Sequence, residues 1–277
     1  MADPRPIGVF DSGVGGLTVA RAILDLLPHE SLVYVGDSAH FPYGPKPVSE
    51  IRSYALDIAA YLVGRDVKLL VVACNSIEVS AIGDIAAGHG VPVIGVINPG
   101  SRAAIRATRS GVIGVIGTQA TISTGAYQRA VGSEAELHAA ACPVFVEHVE
   151  RGDTTSDELR RAARGYLAPL KERGIDTLIL GCTHYPLLSG LLQLELGPGV
   201  VLVSSAEETA KDVYATLLRE GLARADDQGP PAHEFLSTGD PTQFQVLAER
   251  FLGSEIGDLH VRKLELGGTG GAHGPGV

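Results

Sequence analysis

Cys74 and Cys182 each close a short run of aliphatic residues, LLVVACNS and TLILGCTH, and each is followed directly by polar side chains. A thiol at the carboxyl end of a buried strand, just ahead of a helix, sits where open α/β sheets bind their ligands. A helix start also lowers a thiol's pKa and so raises its thiolate fraction. The ordinary alternative is that a free cysteine is a small apolar core residue. Asn75 and Ser76 weigh against that alternative at Cys74, because they are polar where a core would continue. His184, two residues beyond Cys182, gives or takes a proton near neutral pH. Cys-x-His is also part of a zinc pattern, but zinc normally takes three or four ligands, so Cys74 and further histidines would have to complete it. Pro186 suits a helix start, which puts Cys182 and Thr183 at its N-terminal lip. Cys142, next to Pro143, has no following polar pair and reads as structural; Glu150 is the more notable residue of that stretch.

Two further loops follow apolar runs. DSGVGG, Asp11 to Gly16, joins a strand to an amphipathic stretch, and its glycines let the backbone approach a ligand beside a helix N-terminus. A dinucleotide fingerprint would need G-x-G-x-x-G; Gly13 and Gly15 fit, but the last position is Thr18. The plain reading is a tight turn with Asp11 or Ser12 capping the helix. GDSAHFPYG, Gly36 to Gly44, carries Pro42, Tyr43 and Gly44; by itself it reads as a surface turn.

The elements that position these loops come from the apolar pattern. Strands are expected at 7–10, 32–36, 69–73, 91–95, 112–117, 177–181 and 200–204. They are rich in β-branched residues and do not alternate, as parallel strands buried on both faces do not. A helix is expected from Ser156 to Lys171, with Leu159, Ala162, Ala163, Tyr166, Leu167 and Leu170 on one face. This alternation predicts an α/β fold with right-handed crossovers. IGVFDSG at Ile7 is echoed by IGVIGTQ at Ile113, and LVVACNS around Cys74 by LILGCTH around Cys182, at nearly the same offset. The expected architecture is therefore two similar, pseudo-symmetric domains with mainly parallel sheets flanked by helices and a site in the cleft between them. The expected boundaries are 1–97 with 205–265 for the first domain, 98–204 for the second, and a glycine-rich flexible tail at 266–277.

Two thiols at equivalent strand ends, facing one cleft, suit a reaction that is itself nearly symmetric. Racemisation removes a proton from one face of a carbon and delivers one to the other. One thiolate takes the α-proton while one thiol supplies its replacement, so the two sulfurs must start in opposite protonation states. His184 beside Cys182, and Asp11 on the opposite half, are the candidate tuning groups.

Bulk properties exclude other classes. Hydrophobic residues make up 45% and charged residues 19%, which fits a globular protein with a core. The formal net charge is -10, with no Lys/Arg run, which argues against general nucleic-acid binding. No apolar stretch reaches signal-peptide length at the start or about 18 residues later on, so neither export nor a membrane span is expected. Three cysteines make no disulfide framework, and the expected compartment is a reducing cytoplasm. The five lysines, 46, 68, 171, 211 and 263, lie outside every motif named here, which argues against a pyridoxal phosphate Schiff base.

DSGVGG, PYG, ACNS, VIGT, CP followed by VERG, and LGCTHYPLL occur in this order over roughly residues 7 to 215, and the chain so resembles the glutamate racemases. The resemblance implies cofactor-free, two-thiol racemisation of glutamate, supplying D-glutamate for peptidoglycan in the bacterial cytoplasm, commonly as a homodimer. It implies that Cys74 deprotonates D-glutamate and Cys182 L-glutamate, with Asp11 assisting the first, His184 the second, and Glu150 near His184. Implied substrate contacts are Asp11, Ser12, Pro42, Tyr43, Gly44, Asn75, Ser76, Thr118, Thr183 and His184. No metal and no cofactor is expected. The chain departs from the family pattern at Ser76, Ile77 and Glu78 after Cys74, at Ser204-Ser205-Ala206, and at His40 and Phe41 before PYG. Competing readings are an aspartate or other amino-acid racemase of the same superfamily, a zinc-binding module, and a non-catalytic binding protein.

Overall fold

The computed structural model describes residues 2–225, 228–252 and 259–266, and within them ten strands form two sheets. The first sheet contains β1 (Ile7–Asp11), β2 (Leu32–Gly36), β3 (Leu69–Val72), β4 (Val93–Ile94), β9 (His233–Ser237) and β10 (Val261–Lys263). The second contains β5 (Val112–Gly117), β6 (Glu136–Ala141), β7 (Thr177–Gly181) and β8 (Val201–Ser204). Strand order is β10-β9-β2-β1-β3-β4 in one and β6-β5-β7-β8 in the other, and all eight pairings are parallel.

The central run β2-β1-β3-β4 and the whole of β6-β5-β7-β8 have the same topology. The sequence echo falls on equivalent strands: β1 matches β5, and β3 matches β7. Both sheets are buried on both faces, which explains why their strands read as continuous apolar runs. Ile7 and Val9 face the helices Leu17–Leu26 and Ala206–Arg219, while Phe10 faces the other way with Val33, Val35, Leu70 and Val72. In the second sheet, Val115 and Ile179 pack with Tyr127 and Ala104, and Ile116, Leu178 and Leu180 with Leu159, Ala163 and Phe145.

The helix expected at 156–171 spans Asp157–Glu172, and the Ser156 side chain caps it by accepting the Leu159 N–H. The run at 91–95 narrows to Val93–Ile94, while β6, β9 and β10 were not anticipated. Strand β6, ELHAAA, is an edge strand of low β-propensity left partly exposed, so it lacks an apolar signature. Pro186 does start a helical segment, as a short 3-10 turn over Tyr185–Leu188. Beyond Leu266, the expected glycine-rich tail lies outside the described residues.

The chain passes from the first sheet to the second between β4 and the helix Ile97–Ala107, and returns between β8 and the helix Ala206–Arg219. Those two helices are joined by the ion pairs Arg102–Asp212 and Arg106–Glu208. Among the described residues no helix is long and apolar enough to cross a membrane.

Candidate active site

The strand topology decides where the chemistry sits. In each sheet the order switches between the first strand and its two neighbours, and the carboxyl ends there carry Asp11 as the last residue of β1, Cys74 after β3, Thr118 after β5 and Cys182 after β7. The two sets of ends face one cavity of about 410 Å³. Its walls include Ser12, Pro42, Tyr43, Gly44, Cys74, Asn75 and Ser76 from the first half, and Thr118, Cys182, Thr183 and His184 from the second. Both thiols named from sequence therefore open on the same space.

Cys74 is the N-cap of the helix Asn75–Gly88, with its Sγ 3.6 Å from Ser12 Oγ. The helix start was expected to lower its pKa, and the bond from the Ile77 N–H acts in that direction. Burial outweighs it and, together with the charge of Asp11, pushes the thiol well above its ordinary range. Cys74 accordingly rests as a proton donor. Asp11 does not line the cavity; it is fully buried one layer behind, its Oδ2 accepting the Gly16 N–H at 2.5 Å and the Thr183 hydroxyl at 3.5 Å. Its Oδ1 is buried without a hydrogen-bond partner.

The opposite wall is built differently. His184 Nδ1 lies 3.8 Å from Cys182 Sγ, and its Nε2 lies 2.9 Å from Glu150 Oε1. Burial opposes a charge on this imidazole, but the sulfur and the carboxylate on its two nitrogens win and raise its pKa to about 10. A cationic imidazole beside a sulfur stabilises negative charge on it. Linkage has the matching sign: the contribution of His184 to stability is full below about 6.5, its ordinary value, and is lost as pH rises through about 10. Replacing Glu150 by Gln removes one of the two raising causes, so the alkaline limb of kcat/KM should move to lower pH. A pH–rate profile of Glu150→Gln that keeps the wild-type limb would remove Glu150 from this role.

Contacts between the halves fix the cavity. Ser76 Oγ meets Thr118 Oγ1 at 2.9 Å, and Asn75 Nδ2 donates to Tyr127 Oη at 2.8 Å, leaving Asn75 Oδ1 buried and unpartnered. Gly15 lies so close to Thr183 and the His184 ring that a Cβ there would overlap both. Tyr43 lines the cavity, but its hydroxyl donates to the buried Asp37 carboxylate, so the hydroxyl expected to meet a ligand is already used.

Sequence reasoning did not name Gln119, Val146 and Glu147, which also line the cavity. Glu147 had a readable signal, lying three residues before Glu150 on the helix Val144–Glu150 and hence on the same face. Among the described residues no Lys or Arg lines the cavity, so a carboxylate there would meet backbone N–H groups, hydroxyls, the Asn75 amide and His184. Cys142 is fully buried in the second half's core, as its sequence context indicated. Among the described residues no group of three or more His, Cys, Asp or Glu is placed to hold a metal ion, as the zinc reading required.

The Asp/Glu/Hydantoin racemase family model matches residues 7–213. A glutamate racemase of Parafrankia sp. is 58% identical over 253 residues, covering 91% of this chain and 92% of that protein. Among solved structures, a glutamate racemase isoform of Bacillus anthracis has a TM-score of 0.88 at 42% identity, covering 95% of this chain and 98% of the other. A glutamate racemase of Francisella tularensis in complex with D-glutamate also has a TM-score of 0.88, at 33% identity with the same coverage of both chains.

Proposed function

This chain belongs to the Asp/Glu/Hydantoin racemase family, and we propose that its two-thiol cavity interconverts L- and D-glutamate without a cofactor. The observation that carries the proposal is the pair Cys74 and Cys182, at equivalent strand ends on opposing walls of one cavity, each with its own ionisable partner. In the L-to-D direction the Cys182 sulfur, as thiolate, takes the α-proton, and the Cys74 thiol protonates the resulting carbanion from the other face. In the D-to-L direction the sulfurs exchange roles. Asp11 tunes Cys74, and His184 with Glu150 tunes Cys182. Ser12, Pro42, Tyr43, Gly44, Asn75, Ser76, Thr118, Thr183 and His184 hold the substrate, mainly through backbone and hydroxyl donors.

The product serves peptidoglycan synthesis. We read the working molecule as a cytoplasmic homodimer, supported by three free cysteines and by the family resemblance. We read the chain as two domains, 1–97 with 205–265 and 98–204, a division supported by which described strands share each sheet. The deciding experiment incubates chelator-treated protein with L-glutamate in deuterium oxide, without added cofactor, and follows optical rotation and α-deuteration. Loss of rotation with deuterium at the α-carbon is expected. Turnover of aspartate with none of glutamate would overturn the substrate, and exchange of neither would overturn the reaction.

A further inference from the structure

Glu78 lies four residues after Cys74, and nothing in the two-thiol mechanism uses it. It lies in the first turn of the helix that begins at Cys74, its N–H donating to the Cys74 carbonyl at 2.9 Å. Its side chain is buried, and Oε2 accepts the N–H groups of Val96 at 2.5 Å and Ile97 at 2.9 Å. Those amides open the helix Ile97–Ala107, the segment that carries the chain from the first sheet to the second. Gly95 packs so tightly on the carboxylate that a Cβ at that position would overlap it. One side chain therefore binds the Cys74 helix to the crossover on which the Cys182 half is hung.

Stability alone does not explain this group. Burial lifts the Glu78 carboxyl to about 7 despite the two N–H donors, so ionising it costs the folded state. Tyr127, from the second half, is a titratable group close enough to feel the Glu78 charge, and it also accepts a hydrogen bond from Asn75 in the cavity wall.

We propose that Glu78 is a positioning residue that sets the angle between the two halves and, through it, the spacing of Cys74 and Cys182. The inference rests on the racemase reading for its kinetic consequence, but its geometric content stands apart. An ionised carboxylate grips N–H donors more strongly than a neutral one, so the grip tightens as pH rises through about 7. A displacement of about 1 Å between reacting groups is enough to cost roughly 100-fold in rate.

The test compares wild type, Glu78→Ala and Glu78→Gln by kcat/KM against pH, and by the yield with which a short bifunctional thiol reagent bridges Cys74 to Cys182, mapped by peptide mass. We expect Glu78→Ala to lose roughly 10-fold to 100-fold in kcat/KM and to change the bridging yield. Glu78→Gln, which keeps an acceptor but no charge, should recover most of the rate while losing an inflection near pH 7 that the wild type shows. Wild-type bridging and an unaltered profile in Glu78→Ala would overturn the proposal. If Glu78→Ala does not fold, an inflection near pH 7 retained by Glu78→Gln overturns it equally. If the wild type does not racemise glutamate, the bridging arm still decides: a changed yield upholds the positioning role while the substrate assignment fails, and an unchanged yield ends both.

Discussion

Cys74→Ala and Cys182→Ala should each lower kcat/KM for racemisation by about 1000-fold or more, in both directions alike. The equality is a thermodynamic requirement. Enantiomers have the same free energy in water, so the ratio of the two kcat/KM values is fixed at unity for the wild type and for every variant. What separates the two variants is proton exchange without inversion. With Cys74 gone, Cys182 and His184 remain on the cavity wall, so on the two-thiol proposal L-glutamate should slowly take up deuterium and keep its configuration. With Cys182 gone, D-glutamate should be the enantiomer that exchanges. Proton NMR of each pure enantiomer in deuterium oxide reads this directly. Exchange in the opposite enantiomer would reverse the roles given to the two thiols, and undiminished racemisation by either variant would end the two-thiol mechanism.

Gly15→Ala should cost roughly 100-fold in kcat/KM. The reason is close approach rather than backbone conformation, since Gly15 is not among the positive-φ glycines. Its Cα abuts Thr183 and His184 across the cleft, and a Cβ would lie 2.6 Å from His184 Cε1. Either the DSGVGG loop or the imidazole must move, and the imidazole is held by Cys182 on one side and Glu150 on the other. Overpacking of this kind costs about 1–3 kcal/mol, which thermal unfolding would record. Gly83→Ala is the control: the position is exposed in the helix Asn75–Gly88 with nothing within 4 Å, so Ala should stabilise by about 0.5–1 kcal/mol and leave kinetics alone. Equal kinetics for Gly15→Ala and Gly83→Ala would mean that the contact across the cleft does not matter to catalysis.

Much of this arrangement was legible because doubly buried parallel strands leave continuous apolar runs, and their carboxyl ends are where loops must turn. Cys74 and Cys182 stand at such ends, and local sequence is enough to find them, whereas Thr118, just past β5, was named only through the family resemblance. Strand β9, which opens on His-Glu, and the three-residue β10 carry no comparable pattern and exist by pairing with neighbours. The direction of the Cys74 shift was misread for a related reason. A helix start is a local feature that sequence reveals, whereas burial and the nearness of Asp11 arise only when distant segments pack. Glu78 was visible as an oddity, but its partners are two backbone N–H groups, and every residue except proline carries one.

The interleaving of the two sheets along the chain also orders their assembly during synthesis. Strands β5 to β8 lie in one contiguous stretch, so the nested sheet has all its strands once residue 204 has emerged from the ribosome. The first sheet begins earlier yet closes later, since β2 pairs with β9 in the register Leu32 to His233. Until that segment arrives, β2 presents an open edge, the kind of surface that invites wrong partners. Vectorial synthesis thus lets the insert fold inside an unfinished host, and the half that is translated first is completed last.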